Sequence, residues 1–170
     1  MPSLREDIES GLELLPEKMR TDAARVLLFA TSRQENPERS PRQVIKVNGK
    51  LSATGPAAGD YQFEKGGGVT GVLNHPASAA LSRQICAERG VITSVDNVFA
   101  AIQYDTVLAA ALARLLYYTD PKAMPPVGDE QGAWALYLRT WRPGAYARQP
   151  EELRAKWSKT YAAAMRAYAL

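Results

Sequence analysis

Apolar residues recur at helical spacing over most of this chain, and one short stretch breaks that rhythm. Leu4, Ile8, Leu12 and Leu15 fall on one stripe behind Ser3-Leu4-Arg5-Glu6, a Ser-x-x-Glu capping box. This predicts a first helix running to about Leu14, before Pro16. A second begins at Pro16 or Thr21 and reaches Gln34. Its Val26-Leu27-Leu28-Phe29-Ala30 run is apolar nearly all round, as in a central, fully enclosed helix. Asn36-Pro37 stops it, because proline lacks a donor and disfavours helix in the residue before it. The same spacing predicts helices at about 69–74, 76–89, 94–103, 105–119, 129–142 and 150–168. In the last of these Leu153, Trp157, Tyr161, Ala164 and Tyr168 share one side. Pro121, Pro125 and Pro126 mark the main break between the later helices.

Residues 37–67 have a different character. Gln43-Val44-Ile45-Lys46-Val47 and Lys50-Leu51-Ser52-Ala53 flank Asn48-Gly49, whose two positions tolerate the positive φ of a tight hairpin turn. Gly55, Gly59 and Gly66 to Gly68 bracket an irregular segment in which backbone can turn sharply or approach a ligand. The fold class expected is mainly α (α+β): one domain over 1–170, with a small β-hairpin inserted after the central helix.

The length suffices for a real core without staples. One cysteine, Cys86, and one histidine, His75, exclude an internal disulfide and an ordinary zinc site, so no metal or cofactor is expected. Their separation of 11 residues gives little support to a thiol nucleophile, and His75-Pro76 reads better as a helix start. Gly66-Gly67-Gly68 follows Lys65 and does not precede a lysine, so it lacks the form of a phosphate loop and reads as a flexible lip. The apolar runs Val26 to Ala30 and Val107 to Leu116 are too short, or interrupted by Arg114, to span a bilayer. The net charge of +3 is mild and its cations are dispersed. Arg39, Arg42, Lys46 and Lys50 accompany no nucleic-acid motif, which leaves them as a solvated face and makes specific nucleic-acid binding the weakest reading. The acidic, amphipathic N-terminus lacks the basic-then-apolar form of a secretory signal, so synthesis in a cytoplasm is expected.

Candidate chemistry centres on Glu35, which ends the buried helix. A carboxyl at the edge of an apolar core resists ionisation and can act as a general acid near neutral pH. Some 25 residues later comes Gly59-Asp60-Tyr61-Gln62-Phe63-Glu64, framed by Gly55-Pro56 before it and Gly66-Gly67-Gly68-Val69 after it. Together with Gln34-Glu35-Asn36, Leu73-Asn74-His75-Pro76-Ala77, Tyr137 and Trp141-Arg142-Pro143-Gly144, this order resembles the lysozyme-like superfamily. The resemblance is to its lytic-transglycosylase and goose-type branch and to small phage-encoded members, and it covers about residues 21–144. It departs from that pattern where Asn36 stands in place of the usual Ser, where Pro37 follows at once, and where the Asn48-Gly49 insertion enlarges the loop between motifs.

The resemblance implies cleavage of the β-1,4 bond between N-acetylmuramic acid and N-acetylglucosamine in a peptidoglycan strand. Glu35 would be the catalytic acid, Asp60 or Glu64 a second carboxylate, and Tyr61, Gln62 and Tyr137 substrate-binding residues. It also implies a phage protein carried in the virion, with other virion proteins as partners, that acts in the cell wall. From the residues alone, Glu35 can also be a solvated helix-end acid, Asp60 a turn residue, Glu64 a partner for Lys65 or a nearby Arg, and the aromatics part of the core. The competing function is a structural virion or tail protein, or a glycan-binding module, that keeps the fold without turnover. An enzyme requires an open groove with Glu35 half-buried at its floor and its proton affinity raised. An inert relative requires Glu35 in a salt bridge or a blocked cleft.

Overall fold

A computed structural model describes residues 2–170. The first helix, α1 (Leu4–Glu13), is closed by the capping box: Ser3 Oγ accepts the Glu6 N–H at 3.2 Å, and the Glu6 carboxylate accepts the Ser3 N–H at 2.6 Å. A short 3₁₀ turn at Glu17–Met19 leads to α2 (Asp22–Glu35), capped by the Thr21 hydroxyl at 3.1 Å from the Ala24 N–H. After the sheet region come α3 (Thr70–Asn74), α4 (Ala79–Glu88), α5 (Val95–Ala101), α6 (Thr106–Tyr118), α7 (Glu130–Trp141) and α8 (Pro150–Ala167).

Helix α6 is the hub. Every residue from Leu108 to Tyr117 is buried, including Arg114, whose Nε donates to the Met19 carbonyl at 3.0 Å. Helix α1 crosses α6 at Gly11, where a Cβ would stand 2.8 Å from the Val107 carbonyl oxygen, so glycine sets this close approach. Helix α8 lies along α2, and its Trp157 is fully buried. One continuous apolar core joins these helices. Burying side chains of this size contributes about 1.5–3 kcal/mol each before conformational entropy is set against it.

The hairpin turns at Asn48 (φ 50°) and Gly49 (φ 78°), joining β1 (Ile45–Val47) to β2 (Lys50–Ser52) in the register Ile45↔Ser52, Lys46↔Leu51, Val47↔Lys50. A second antiparallel pair, β3 (Ala57–Ala58) and β4 (Phe63–Glu64), occupies the segment read as irregular from its glycines, and Arg42 bridges to Ala58 on the other edge of β3. The glycine run 66–68 is no loose lip but lies within a π-helical turn, Lys65–Val69. Residues 75–78 form a turn ahead of α4, held by Ser78 Oγ on the Val72 carbonyl at 2.7 Å. The architecture is thus mainly α with two small two-stranded sheets. No helix among the described residues is long and apolar enough to cross a membrane.

Candidate active site

Helix α2 delivers Glu35 to the floor of a cleft of about 1070 Å³. Its walls come from the segment after α2, the β3–β4 pair, the π turn, and the end of α7 with residues 142–145. Glu35 is half-buried, and its carboxylate accepts a hydrogen bond from the Tyr137 hydroxyl on α7. Burial pushes its pKa up to about 7, against the opposing pull of the Tyr137 hydroxyl and the nearby Lys156 ammonium. Among the described residues it has no ion-pair partner. Lys156, on α8, is bound to the Gln34 carbonyl, one of the last carbonyls of α2 left without an intrahelical partner. Beneath the site, Tyr117 Oη and Thr31 Oγ1 lie 2.6 Å apart, and burial holds the Tyr117 phenol well above its ordinary pKa.

Asn36 fixes the exit from α2. Its own N–H reaches the Ser32 carbonyl at 2.7 Å while its backbone leaves helical geometry (φ −148°, ψ 70°). Its buried side-chain amide donates to the carbonyls of Ser40 at 2.8 Å and Gly59 at 3.0 Å, and its side-chain carbonyl accepts the Ser40 N–H at 3.0 Å. The residue that departs from the resembled motif is therefore the clamp between the helix bearing Glu35 and the turn between β3 and β4. Sequence reading treated it as a helix stop and as a departure from the resembled motif, not as a clamp. Asparagine before proline at a helix end was the available signal, but its partners lie in a turn more than 20 residues away.

That turn is set by backbone geometry. Gly59 has φ +73°, and a Cβ there would come within 2.5 Å of the Ile102 carbonyl oxygen, so no other residue fits. Gln62 also adopts positive φ (49°), and its Nε2 donates to the Gly59 carbonyl at 2.9 Å. The Trp141 indole N–H donates to the Tyr61 carbonyl at 2.9 Å, tying the turn to α7. Trp141 in turn packs against Tyr117, with ring centroids 4.6 Å apart, and stacks with Phe63 and Tyr137. Trp141 is half-buried and lines the cleft, whereas Phe63 and Tyr137 are almost fully enclosed.

The candidate residues therefore divide. Glu35, Gln62, Glu64 and Tyr137 line the cleft. Asp60 and Tyr61 turn inward. Asp60 is 3% exposed and pairs with Arg39 at 2.7 Å, and the same guanidinium also binds Asp7, so the carboxylate is committed below the turn and is not presented to the cleft. Arg39, expected on a solvated basic face, is the centre of this buried triad, and its carboxylate partners raise its already high pKa despite its burial. Tyr61 is 1% exposed, packs against Phe63 and Trp141, and offers no ring face to a ligand. Tyr137 reaches the cleft through its hydroxyl on Glu35. Glu64 is exposed on the cleft wall and forms no ion pair with Lys65, whose ammonium instead meets Asp96 at 2.7 Å. Among the described residues no acidic, cysteine and histidine cluster has the form of a metal site. No protein-family model, curated protein or solved structure matches the chain.

Proposed function

We propose that the protein cleaves the glycan strand of peptidoglycan at the β-1,4 bond between N-acetylmuramic acid and N-acetylglucosamine, with Glu35 as general acid. The observation that carries this reading is a carboxyl of pKa about 7 at the floor of an open cleft, with one neutral donor on it and no ion-pair partner. Near neutral pH such a group is divided between its acid and its carboxylate form, so it can give a proton and take one back. The order of motifs around it supports a lysozyme-like arrangement, and the expectation of an open groove with a half-buried acid is the one an active enzyme requires.

The lytic-transglycosylase route fits the site best because it needs one carboxyl. Glu35 gives its proton to the glycosidic oxygen as the C1–O bond breaks. The C6 hydroxyl of the same muramic acid residue then bonds to C1, and its proton passes to the Glu35 carboxylate, which restores the acid. The Tyr137 O–H stabilises the carboxylate during the interval when it carries charge. Hydrolysis by a muramidase would require water to be activated from the opposite sugar face. Glu64 is the carboxylate left on the cleft wall for that role once Asp60 is tied to Arg39. The resemblance to phage proteins supports a virion-borne role in opening the cell wall during genome delivery.

The test is digestion of purified peptidoglycan by the wild-type protein and by Glu35→Gln, with soluble muropeptides read by mass spectrometry. Anhydro-muramic products from the wild type alone are expected. Reducing ends would assign hydrolysis instead. No soluble product from folded wild-type protein would refute catalysis and favour a structural virion or glycan-binding role on the same fold.

A further inference from the structure

A second cavity, of about 320 Å³, opens beside the cleft and shares Arg42, Glu64 and Gly66 with it; Pro56, Lys65 and Phe99 complete its lining. Phe99 is buried in its floor, with the Arg42 guanidinium 5.1 Å and the Lys65 ammonium 5.3 Å from the ring centroid. The charges around it are not equivalent. Lys65 is neutralised by Asp96. Arg42 is oriented by backbone carbonyls, its Nε donating to Gly55 at 3.1 Å and one terminal nitrogen to Thr54 at 3.3 Å, and among the described residues it meets no carboxylate. Among the described residues Glu64 has no cationic partner either. The backbone keeps the two apart, since Arg42 bridges to Ala58 on one edge of β3 while Glu64 pairs with Ala57 on the other. One small cavity thus presents a cation and an anion, each without a counter-charge, over an aromatic floor.

Gly66 is one of the residues common to the walls of both cavities. A Cβ there would meet nothing within 4 Å, and its φ is not in the left-handed region, so neither packing nor backbone geometry asks for glycine. Glycine in a helical turn nevertheless costs roughly 1 kcal/mol relative to alanine. Its neighbour Gly68 differs, because a Cβ there would strike the Phe63 ring at 2.3 Å. Because Gly66 lines both the cleft and the side cavity, a large side chain at position 66 would project into the space beside them.

Taking the glycan reading of the cleft as its basis, we infer that the side cavity receives the peptide substituent of the strand, with Arg42 reading a carboxylate, Glu64 an ammonium and Phe99 the intervening methylenes. The ligand class is a short peptide ending in a diamino-dicarboxylic acid, whose side chain carries an amino-acid head of its own. A strand lying along the cleft would pass this group sideways over Gly66. Cleavage would then favour strands that still bear their peptides.

The pocket can be tested without turnover. The tripeptide L-alanyl-γ-D-glutamyl-meso-diaminopimelate is titrated into the intact chain while backbone amide shifts are followed by NMR. Shifts clustered at residues 42, 64–66 and 99 are expected, with binding weakened about tenfold or more in Gly66→Leu and in Glu64→Gln. Glu64→Gln changes only an exposed surface group and so guards against a folding defect in the glycine variant. Absence of shifts at millimolar peptide, shifts elsewhere, or wild-type affinity in both variants would overturn the inference. In parallel, wild type and Gly66→Leu digest intact strands and strands stripped of peptide by an amidase. Gly66→Leu should lose more rate on intact strands than on stripped ones, and equal loss on both would also overturn it. If the wild type cleaves neither strand, the glycosidase reading fails, and the titration still decides the pocket.

Discussion

Replacing Glu35 by Gln should make the protein more stable at high pH, and the size of that gain follows from the site. In the unfolded chain Glu35 titrates near 4.5, and in the fold near 7. Between those values the folded chain holds a proton that the unfolded chain has lost, so the free energy of unfolding falls as pH rises through this window. Below about 4.5 both states carry the proton and the carboxyl imposes no penalty. Above about 7 the penalty is complete. A displacement of this size corresponds to up to about 3 kcal/mol, an upper limit because cleft water screens a half-buried group. For a chain of this length that is roughly 2–4 °C in melting temperature per kcal/mol. Glutamine keeps an acceptor for the Tyr137 hydroxyl and cannot ionise. The assay is urea unfolding of both proteins from pH 4 to pH 8.5, with the difference between them plotted so that other titrating groups cancel. Glu35→Gln should match the wild type at the acid end and exceed it at the alkaline end. A pH-independent difference, or a wild type that gains on the variant as pH rises, would refute a carboxyl held protonated by burial.

Removing either group that favours the charged form of Glu35 should raise its pKa further. Tyr137→Phe and Lys156→Met should both shift the Glu35 titration, followed by carboxyl ¹³C NMR, and the alkaline limb of the pH–rate profile to higher pH. Asn36→Ala leaves the Ser40 carbonyl and N–H without their side-chain partner and should cost about 1–3 kcal/mol in urea unfolding. Arg39→Met strands two buried carboxylates and should cost about 3–5 kcal/mol, whereas Asp60→Asn keeps the Arg39–Asp7 pair, costs less, and leaves turnover per folded molecule unchanged. Gly59→Ala should destabilise the fold whereas Gly66→Ala should not, since only the former meets the Ile102 carbonyl and an unfavourable φ; thermal melts of the two compare them.

The helices were legible because their signals are local. The Ser3 box marks the start of α1 and Asn36-Pro37 the end of α2 to within a residue or two, while the start of α2 was left between Pro16 and Thr21, and Asn48-Gly49 marks its hairpin for the same reason. Where the site depends on distant contacts, the sequence was ambiguous. Asp60 and Glu64 lie four residues apart and look interchangeable, yet the positive φ at Gly59 and Gln62 sends one toward Arg39 and the other to the cleft wall. Nothing local identifies Arg39 as a buried partner, because Asp7 is 32 residues away on α1. The β3–β4 pair escaped notice since two-residue strands leave no alternation to read.

The environment of Glu35 balances opposed effects, and the balance bears on its chemistry. Burial raises its proton affinity, and its place at the C-terminal end of α2, where unpaired carbonyls concentrate negative potential, acts in the same direction. Alone these would leave an acid too weak to release its proton to a leaving oxygen. The Tyr137 hydroxyl and the Lys156 ammonium oppose them from α7 and α8, while Tyr117 on α6, itself protonated, adds no charge. Across the cleft Arg139 is neutralised by Asp120, and Arg142, His75, Glu38 and Glu64 stand on walls open to water, where their fields are screened. Three separate helices thus bring burial, one hydroxyl donor and one nearby ammonium to bear on one carboxyl, whose pKa stands at about 7. A group that only anchored the fold would gain nothing from that value, since a paired carboxylate or a fully neutral acid would be more stable. The reaction proposed above asks a group to donate a proton and recover it within one turnover, and so to have both forms accessible near neutral pH.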